Sequence, residues 1–251
     1  MHFSEFLRGL ELSDSKKEIM ESAQRIICVS PHPDDCEEIA GGFIHEKIRE
    51  GASVRLVLVS DGRMGSRDTD ENELVGIRMN EEMEAMRILG TTDIVTLGFR
   101  DSEVPVAHEL RRVIMKELRR FSPELVITVD PFLSNEIHPD HINTGLGVMQ
   151  AVFFHEKVHM GEGIPKSSRP NIALGATASP NVIIDCSSSF GAKINSLRAH
   201  RSQVYTQAGL DSLEKISELY GKRINARYGE AFKVLIPTEM HGDLLNGMSL
   251  D

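Results

Sequence analysis

The clearest signal in the chain is a series of short apolar runs, each followed by a segment with apolar residues at helical spacing. A short, mostly apolar run is typical of a buried strand, and apolar residues three to four positions apart mark one face of a helix. The pattern predicts strands at 25–30, 54–59, 94–97 and 125–129. It predicts helices at 35–49, 72–89 and 106–120.

This alternation of strands and helices indicates an α/β fold, a Rossmann-like parallel sheet with helices on both faces. In the common strand order 3-2-1-4, the first and fourth strands are neighbours, and ligands bind beyond the carboxyl ends of such strands. We therefore expect a site at the carboxyl ends of strands 1 and 4.

The two ends of the chain are less regular. Residues 1–24 carry apolar residues at roughly helical intervals, which predicts an N-terminal helical extension. Beyond residue 154, the weaker pattern predicts strands at 171–176, 182–184 and 231–236 and helices at 188–201 and 210–220. We expect a single α/β domain over residues 1–251, in which residues 155–251 complete the site.

Two clusters of histidine and aspartate follow the first and fourth strands, at residues 31–35 (Pro-His-Pro-Asp-Asp) and 138–141 (His-Pro-Asp-His). Zinc accepts nitrogen and carboxylate ligands, and proline stiffens the loops that would present them. A catalytic zinc site keeps one position open for water, so three protein ligands are sufficient. The clusters offer four candidates: His32, Asp35, His138 and His141.

Two further groups in these clusters suit hydrolysis. Asp34, beside Asp35, could act as general base on a metal-bound water. His138 could face a developing oxyanion if Asp140 or Asp130 held it protonated.

One alternative is that both clusters are only helix caps and bind no metal. Another keeps the metal site but makes Asp34 a helix cap and His138 a fourth ligand. Either cluster alone favours the cap, whereas two clusters at neighbouring strand ends favour a metal site.

Composition and charge narrow the class of protein. A net charge of −10 over 251 residues provides no basic face for a nucleic acid. No run approaches the ~18 apolar residues of a membrane helix, and the first residues do not resemble a secretion signal. The three cysteines have no CxxC spacing, which argues against disulfides and favours a reducing compartment. We expect a cytoplasmic protein that acts on a small molecule.

Other polar residues could reach the same crevice. Arg78 follows the second strand and Asp101 follows the third, although an arginine on a helix is usually solvated. The polar stretches 198–203 and 227–230 could line the far wall of the site.

Taken together, the motifs at 31–35 and 138–141 resemble those of the PIG-L/LmbE-like family of zinc-dependent N-deacetylases. The similarity extends through 199–203 and 227–230, and so over most of the chain. Within the family the chain looks most like the archaeal diacetylchitobiose deacetylases, because Cys36 stands where many members carry Glu. The stretches 60–65 and 99–103 point the same way.

The resemblance implies roles for individual residues. His32, Asp35 and His141 would bind zinc, and Asp34 would be the general base. His138 would stabilise the tetrahedral intermediate or assist the leaving amine. The catalytic group would also include Asp140. Contacts to the sugar would come from Arg78, Asp101 and a late histidine, His241, which could act across a subunit interface in a homo-oligomer.

The expected function is therefore zinc-dependent removal of an acetyl group from an N-acetylglucosamine-type sugar such as diacetylchitobiose. One alternative is the same chemistry on another glucosaminyl conjugate, from a thiol or an antibiotic pathway. Another is a non-catalytic protein that binds a metal or a sugar.

Overall fold

The computed structural model describes residues 10–160, 163–165, 167–203 and 206–241. Its centre is one seven-stranded sheet. The strands are β1 Arg25–Ser30, β2 Ser53–Ser60, β3 Ile94–Phe99, β4 Leu125–Val129, β5 Asn171–Gly175, β6 Val182–Asp185 and β7 Gly229–Leu235.

The sheet has the order β3-β2-β1-β4-β5-β7-β6. Strands β1 to β5 are parallel, with Cys28 opposite Leu56 on one side and opposite Ile127 on the other. The predicted order 3-2-1-4 is therefore confirmed. Strand β7 runs antiparallel to both β5 and β6, so the later part of the chain extends the same sheet with reversed strands.

Seven helices surround the sheet in the part of the chain that the structure describes. They are α1 Asp14–Ser22, α2 Asp35–Arg49, α3 Glu71–Leu89, α4 Ala107–Phe121, α5 Pro139–Phe153, α6 Phe190–Ala199 and α7 Gln207–Arg223. Short 3-10 turns follow at Val158–Met160 and Pro237–Met240. The predicted N-terminal helix is found only as α1, because residues 1–9 lie outside the described residues.

The helices cover both faces of the sheet, as predicted. Along β1, Ile26 and Cys28 belong to a core shared with α2 and the end of α3, whereas Ile27 and Val29 face a core formed with α4 and α5. Side chains alternate along a strand, so a continuous apolar run buries both faces. The strands have apolar runs in their sequences because both of their faces are buried.

This topology determines where the polar clusters meet. Strand β1 leads to His32, β3 leads to Asp101, and β4 leads to the loop before α5. All of these strands are parallel, so their carboxyl ends lie at one edge of the sheet.

Cys28, Cys36 and Cys186 are all buried free thiols. Among the helices of the described segments, none combines the length and the apolar character that crossing a bilayer requires.

Candidate metal centre and catalytic crevice

Three side chains from the two clusters converge on one point. The Nδ1 atom of His32 lies 3.2 Å from Nε2 of His141 and 3.3 Å from Oδ2 of Asp35, and the last two atoms are 3.5 Å apart. Strand β1 positions the first histidine, α2 begins with the aspartate, and the first turn of α5 presents the second histidine. The three atoms form a nearly equilateral triangle.

The size of this triangle fits zinc. Tetrahedral zinc binds nitrogen and oxygen at about 2.0–2.2 Å, which puts neighbouring ligand atoms roughly 3.3–3.6 Å apart. Two nitrogens and one carboxylate oxygen are also the donor types of catalytic zinc sites, which leave the fourth position open. His32, Asp35 and His141 therefore suit zinc in both chemistry and spacing.

Other groupings of possible ligands exist in the described residues, one of His32 with Asp101 and His138 and one of Glu37 with Glu82 and His200. In the second, the Nε2 atom of His200 lies 3.9 Å from the nearer oxygen of Glu82. Only the triangle at Asp35 has all three pairs recorded at tetrahedral spacing.

The second nitrogen of His32 is held by two carboxylates. Its Nε2 atom lies 3.3 Å from Oδ1 of Asp101 and 3.3 Å from Oδ2 of Asp140. Burial would lower the pKa of His32, but hydrogen bonds to Asp101, Asp140 and Asp35 outweigh it and raise the pKa to about 11. Such a concentration of negative charge stabilises a cation at this point, and a carboxylate behind a histidine orients it as a metal ligand.

Asp140 is itself fixed by backbone donors. Its carboxylate accepts hydrogen bonds from the amides of Ser102 at 2.7 Å and Val104 at 3.2 Å, and it is fully buried. Burial would raise the pKa of Asp140, but the bonds from His32 and these amides lower it. Asp140 and Asp101 thus face His32 at the back of the triangle.

His141 has an equivalent support that the sequence did not reveal. Its Nδ1 atom lies 3.1 Å from Oε2 of Glu136, whose other oxygen accepts the amide of His138 at 2.7 Å. Glu136 belongs to the polar loop before the second cluster, and this position five residues before His141 was its only signal in the sequence.

Asp34 occupies an unusual backbone conformation at the start of α2. Its φ is 106° and its ψ is −28°, in the left-handed region that residues with a Cβ rarely adopt. Its side chain makes no cap hydrogen bond to α2, which argues against the alternative that Asp34 is simply a helix cap. Burial and the charge of Asp35 raise the pKa of Asp34 to about 7, although Arg78 opposes them.

Arg78 reaches the site, but not from a solvated surface. It is 3% exposed, and its guanidinium donates to the carbonyl oxygens of Gly62 at 2.9 Å and Pro33 at 2.5 Å. Its Nη2 atom also lies 3.3 Å from Oδ2 of Asp34. The expectation of a solvated helix arginine is therefore wrong, because α3 turns this residue toward the loop of the first cluster.

His138 caps α5 with its side chain. Its Nδ1 atom accepts the amide of Asp140 at 3.3 Å, which leaves Nε2 as the nitrogen that can carry a proton. Burial and the charge of His32 lower the pKa of His138. The lowered pKa and the bond to Nδ1 both favour the neutral ring, in which Nε2–H is the donor.

The expectation that Asp140 or Asp130 holds His138 protonated is wrong. The carboxylate of Asp140 faces His32, and that of Asp130 accepts from the Thr177 hydroxyl at 2.5 Å and the Phe132 amide at 2.9 Å.

These side chains surround an open cavity of about 320 Å³. Six of the residues expected at the site line this cavity: His32, Asp34, Arg78, Asp101, His138 and His141. The other three, Asp35, Asp140 and His241, do not line it. Met64, Gly65, Ser102 and Gln203 complete the wall. The stretch 198–203 therefore contributes to the wall through Gln203, whereas Glu230 turns inward to the amides of Gly42 and Phe43.

His241 lies elsewhere in the same chain. Its ring stacks on Phe153 at a centroid distance of 5.2 Å, at the carboxyl end of α5. The site is at the amino end of this helix, about 20 Å away for a helix of 15 residues. His241 therefore does not enter the site of its own chain, and a role across a subunit interface stays a prediction.

Comparison with known proteins supports these features. Residues 27–152 match the family described as PIG-L, GlcNAc-PI de-N-acetylase. The diacetylchitobiose deacetylase of Thermococcus kodakarensis is 30% identical, over 95% of this chain and 92% of its own. A probable N-acetyl-α-D-glucosaminyl L-malate deacetylase of Bacillus anthracis is 30% identical, over 75% of this chain and 85% of its own.

A solved structure gives the same result. The N,N'-diacetylchitobiose deacetylase of Pyrococcus horikoshii, in complex with an inhibitor, superposes with a TM-score of 0.87 at 32% identity. The match covers 99% of this chain and 98% of that one. By sequence and by fold, the chain belongs to the PIG-L family of de-N-acetylases.

Proposed function

We propose that this protein is a zinc-dependent hydrolase that removes the acetyl group from an N-acetylglucosamine-type sugar such as diacetylchitobiose. The main observation behind the proposal is the triangle of His32, Asp35 and His141 at tetrahedral spacing, with Asp34 beside it in the same cavity. The diacetylchitobiose deacetylases of Thermococcus kodakarensis and Pyrococcus horikoshii, similar over nearly the whole chain, support the substrate class.

His32, Asp35 and His141 would hold the metal. When bound, zinc polarises the amide carbonyl and lowers the pKa of a water molecule towards neutrality. Asp101, Asp140 and Glu136 keep the two imidazoles in the orientation that binding requires.

Asp34 would take the proton of the attacking water. Its carboxylate lines the cavity, and Arg78 holds one of its oxygens at 3.3 Å. A general base must lie within hydrogen-bond reach of the proton that it removes, and the position of Asp34 beside Asp35 satisfies this condition. The same carboxylate could return the proton to the leaving amine.

His138 would donate from Nε2 to the carbonyl oxygen as that oxygen becomes negative. The bond from the Asp140 amide occupies Nδ1, so the donor is already oriented before the reaction. A preoriented donor stabilises developing charge without reorganisation, and loss of one such donor typically costs about 100–1,000-fold in rate. The products are acetate and the free amine.

The test is acetate release by the zinc-loaded protein. We expect release from N,N'-diacetylchitobiose. Comparing this rate with the rates on N-acetylglucosamine and on its L-malate conjugate identifies the preferred substrate. The Bacillus relative favours inclusion of the malate conjugate, which represents the alternative substrate class. A protein that binds one zinc per chain but releases acetate from none of these sugars would be a non-catalytic metal protein.

We also infer that the protein acts in the cytoplasm as a homo-oligomer. The three buried free cysteines are consistent with a reducing compartment. Ile137 is 87% exposed and Phe132 is 64% exposed, both in the loop that leads to the second cluster, and such apolar side chains suit a subunit contact. Light scattering coupled to size-exclusion chromatography would give the number of subunits.

A further inference from the structure

The backbone of Asp34 requires an explanation that the proposed reaction alone does not provide. A residue with a Cβ at φ 106° is strained, at a cost of roughly 1–3 kcal/mol, and it persists only where its surroundings hold it. Two side chains of α3 hold it here. Arg78 binds the carboxylate and the carbonyl of Pro33, and Glu82, one turn later, accepts the Asp34 amide through Oε2 at 3.1 Å.

Glu82 is part of a buried polar group behind the site. The Nε2 atom of His200 lies 3.3 Å from Oε1 of Glu37 and 3.9 Å from Oε2 of Glu82. Glu37 and Glu82 are fully buried and His200 is 1% exposed. The three residues come from α2, α3 and the end of α6, so they join three elements at the back of Asp34.

None of these three residues lines the cavity of the site. They therefore cannot contact a substrate there, and any effect on the reaction must pass through Asp34.

The group is costly to maintain. One side-chain atom of each member, Oε2 of Glu37, Oε1 of Glu82 and Nδ1 of His200, is buried without a hydrogen-bond partner in the described residues. Buried polar and ionisable groups of this kind stabilise a fold less than apolar residues of similar size would. The presence of this buried polar group therefore calls for a functional reason rather than a contribution to stability.

We propose that Glu82, supported by His200 and Glu37, is a positioning residue that fixes the Asp34 amide and so aims the Asp34 carboxylate into the cavity. The role rests on the proposed function, because it assigns Asp34 as the base. Glu82 does not line the cavity in which a substrate would bind. Its single contact with the reaction is the hydrogen bond to the backbone of Asp34.

The test compares Glu82→Ala with Glu82→Gln. The alanine variant loses the acceptor for the Asp34 amide, so kcat should fall at least tenfold with KM within about twofold and zinc content unchanged. The glutamine variant keeps a carbonyl oxygen at the same place, and its amide can donate to Glu37, so it should retain most of kcat. If Glu82→Ala does not fold, Glu82→Asp, which withdraws the oxygen, should show the same loss of kcat.

Glu230, a buried carboxylate on β7 that also accepts backbone amides of a helix, serves as the control. Glu230 is 3% exposed and accepts the α2 amides of Gly42 at 2.9 Å and Phe43 at 2.7 Å. Glu230→Gln should lower the melting temperature and leave kcat unchanged. Equal kcat for Glu82→Ala and wild type, or an equal loss in the alanine and glutamine variants, would contradict the positioning role.

A second readout is independent of activity. In the metal-free protein, hydrogen exchange of the Asp34 amide should be faster in Glu82→Ala than in wild type or in Glu82→Gln. If wild type releases no acetate, the proposed function fails, whereas this exchange still reports whether Glu82 fixes Asp34. Unchanged exchange in Glu82→Ala would overturn the inference.

Discussion

At the scale of single residues, the site depends on neighbouring aspartates that do different things. Asp35 points at the two histidines and accepts the His32 amide at 2.9 Å, whereas Asp34 points into the cavity toward Arg78. Asp34 has a left-handed backbone just before α2, whereas Asp35 is the first residue of that helix. Strain at this residue is thus part of the geometry of the site.

This strain can be measured by comparing Asp34→Gly with Asp34→Ala. Both variants lose the carboxylate and its contact with Arg78, but only alanine keeps a Cβ at φ 106°. We expect Asp34→Gly to be more stable by about 1 kcal/mol, from urea unfolding of the metal-free proteins. Equal stability of the two would show that the backbone at Asp34 is not strained.

Glu136 provides a second test at this scale, because it holds Nδ1 of the ligand His141. Glu136→Ala should weaken zinc binding by about 10–100-fold, the usual effect of removing a residue that orients a ligand. Competition with a chelator of known affinity measures the zinc dissociation constant of each protein. Glu84, whose side chain is 47% exposed and pairs with Arg201, is a matched acid, and Glu84→Ala should bind zinc as wild type does.

At the scale of elements, α3 contributes more than its pattern predicted. Its length and position were predicted from apolar spacing, but Arg78 and Glu82, which share one face, were not recognised as a buried pair. Sequence periodicity assigns polar residues to the solvent, and only tertiary packing reveals that this face meets the loop of the first cluster. The burial of Glu37 and His200 was not predicted for the same reason.

The fit between α3 and the loop of the first cluster predicts the effect of Gly62→Ala. Gly62 has φ 66°, and a Cβ there would lie 2.7 Å from Nη1 of Arg78 and 2.9 Å from Cδ of Pro33. The variant should lower both the melting temperature and kcat, since Arg78 would have to move away from Asp34.

Gly76 is the matched control on α3 itself, since a Cβ at this position meets nothing within 4 Å. Gly76→Ala should be active and more stable by roughly 0.5–1 kcal/mol, as expected for Gly→Ala within a helix. Wild-type activity and stability in Gly62→Ala would contradict the close fit.

At the scale of the whole molecule, the sequence predicted the strand order and the meeting of the two clusters at the ends of β1 and β4. Both predictions follow from the spacing of apolar residues and the strand order, because neighbouring parallel strands have their carboxyl ends at the same edge of the sheet. It did not predict that β7 runs antiparallel between β5 and β6, or that His241 lies at the far end of α5 from the site. Both depend on how the weakly patterned later part packs, which no local spacing encodes.

Stability at low pH is a property of the whole fold to which His155 contributes. It is fully buried, with Nε2 2.8 Å from the Ser167 hydroxyl, and burial and the charge of Arg119 lower its pKa to about 4. The unfolded chain, with a pKa near 6.5, binds a proton that the folded chain does not, so this contribution is present above pH ~6.5 and is lost as the pH falls towards about 4.

His155→Gln removes this titration. On acidification from about pH 7 to about pH 5, the wild type should lose more of its free energy of unfolding than His155→Gln does. Urea unfolding of both proteins at the two pH values measures the difference. Parallel losses would show that His155 does not carry a lowered pKa.

The central claim is that His32, Asp35 and His141 hold a zinc ion beside Asp34, which acts as the base. The most direct test is acetate release from N,N'-diacetylchitobiose by wild type and Asp34→Asn, with zinc counted in the same samples. We predict about one zinc per chain in both proteins and a rate at least 100-fold lower in the variant, in line with the contribution of a positioned base. Acetate release at the wild-type rate by zinc-loaded Asp34→Asn would contradict the account.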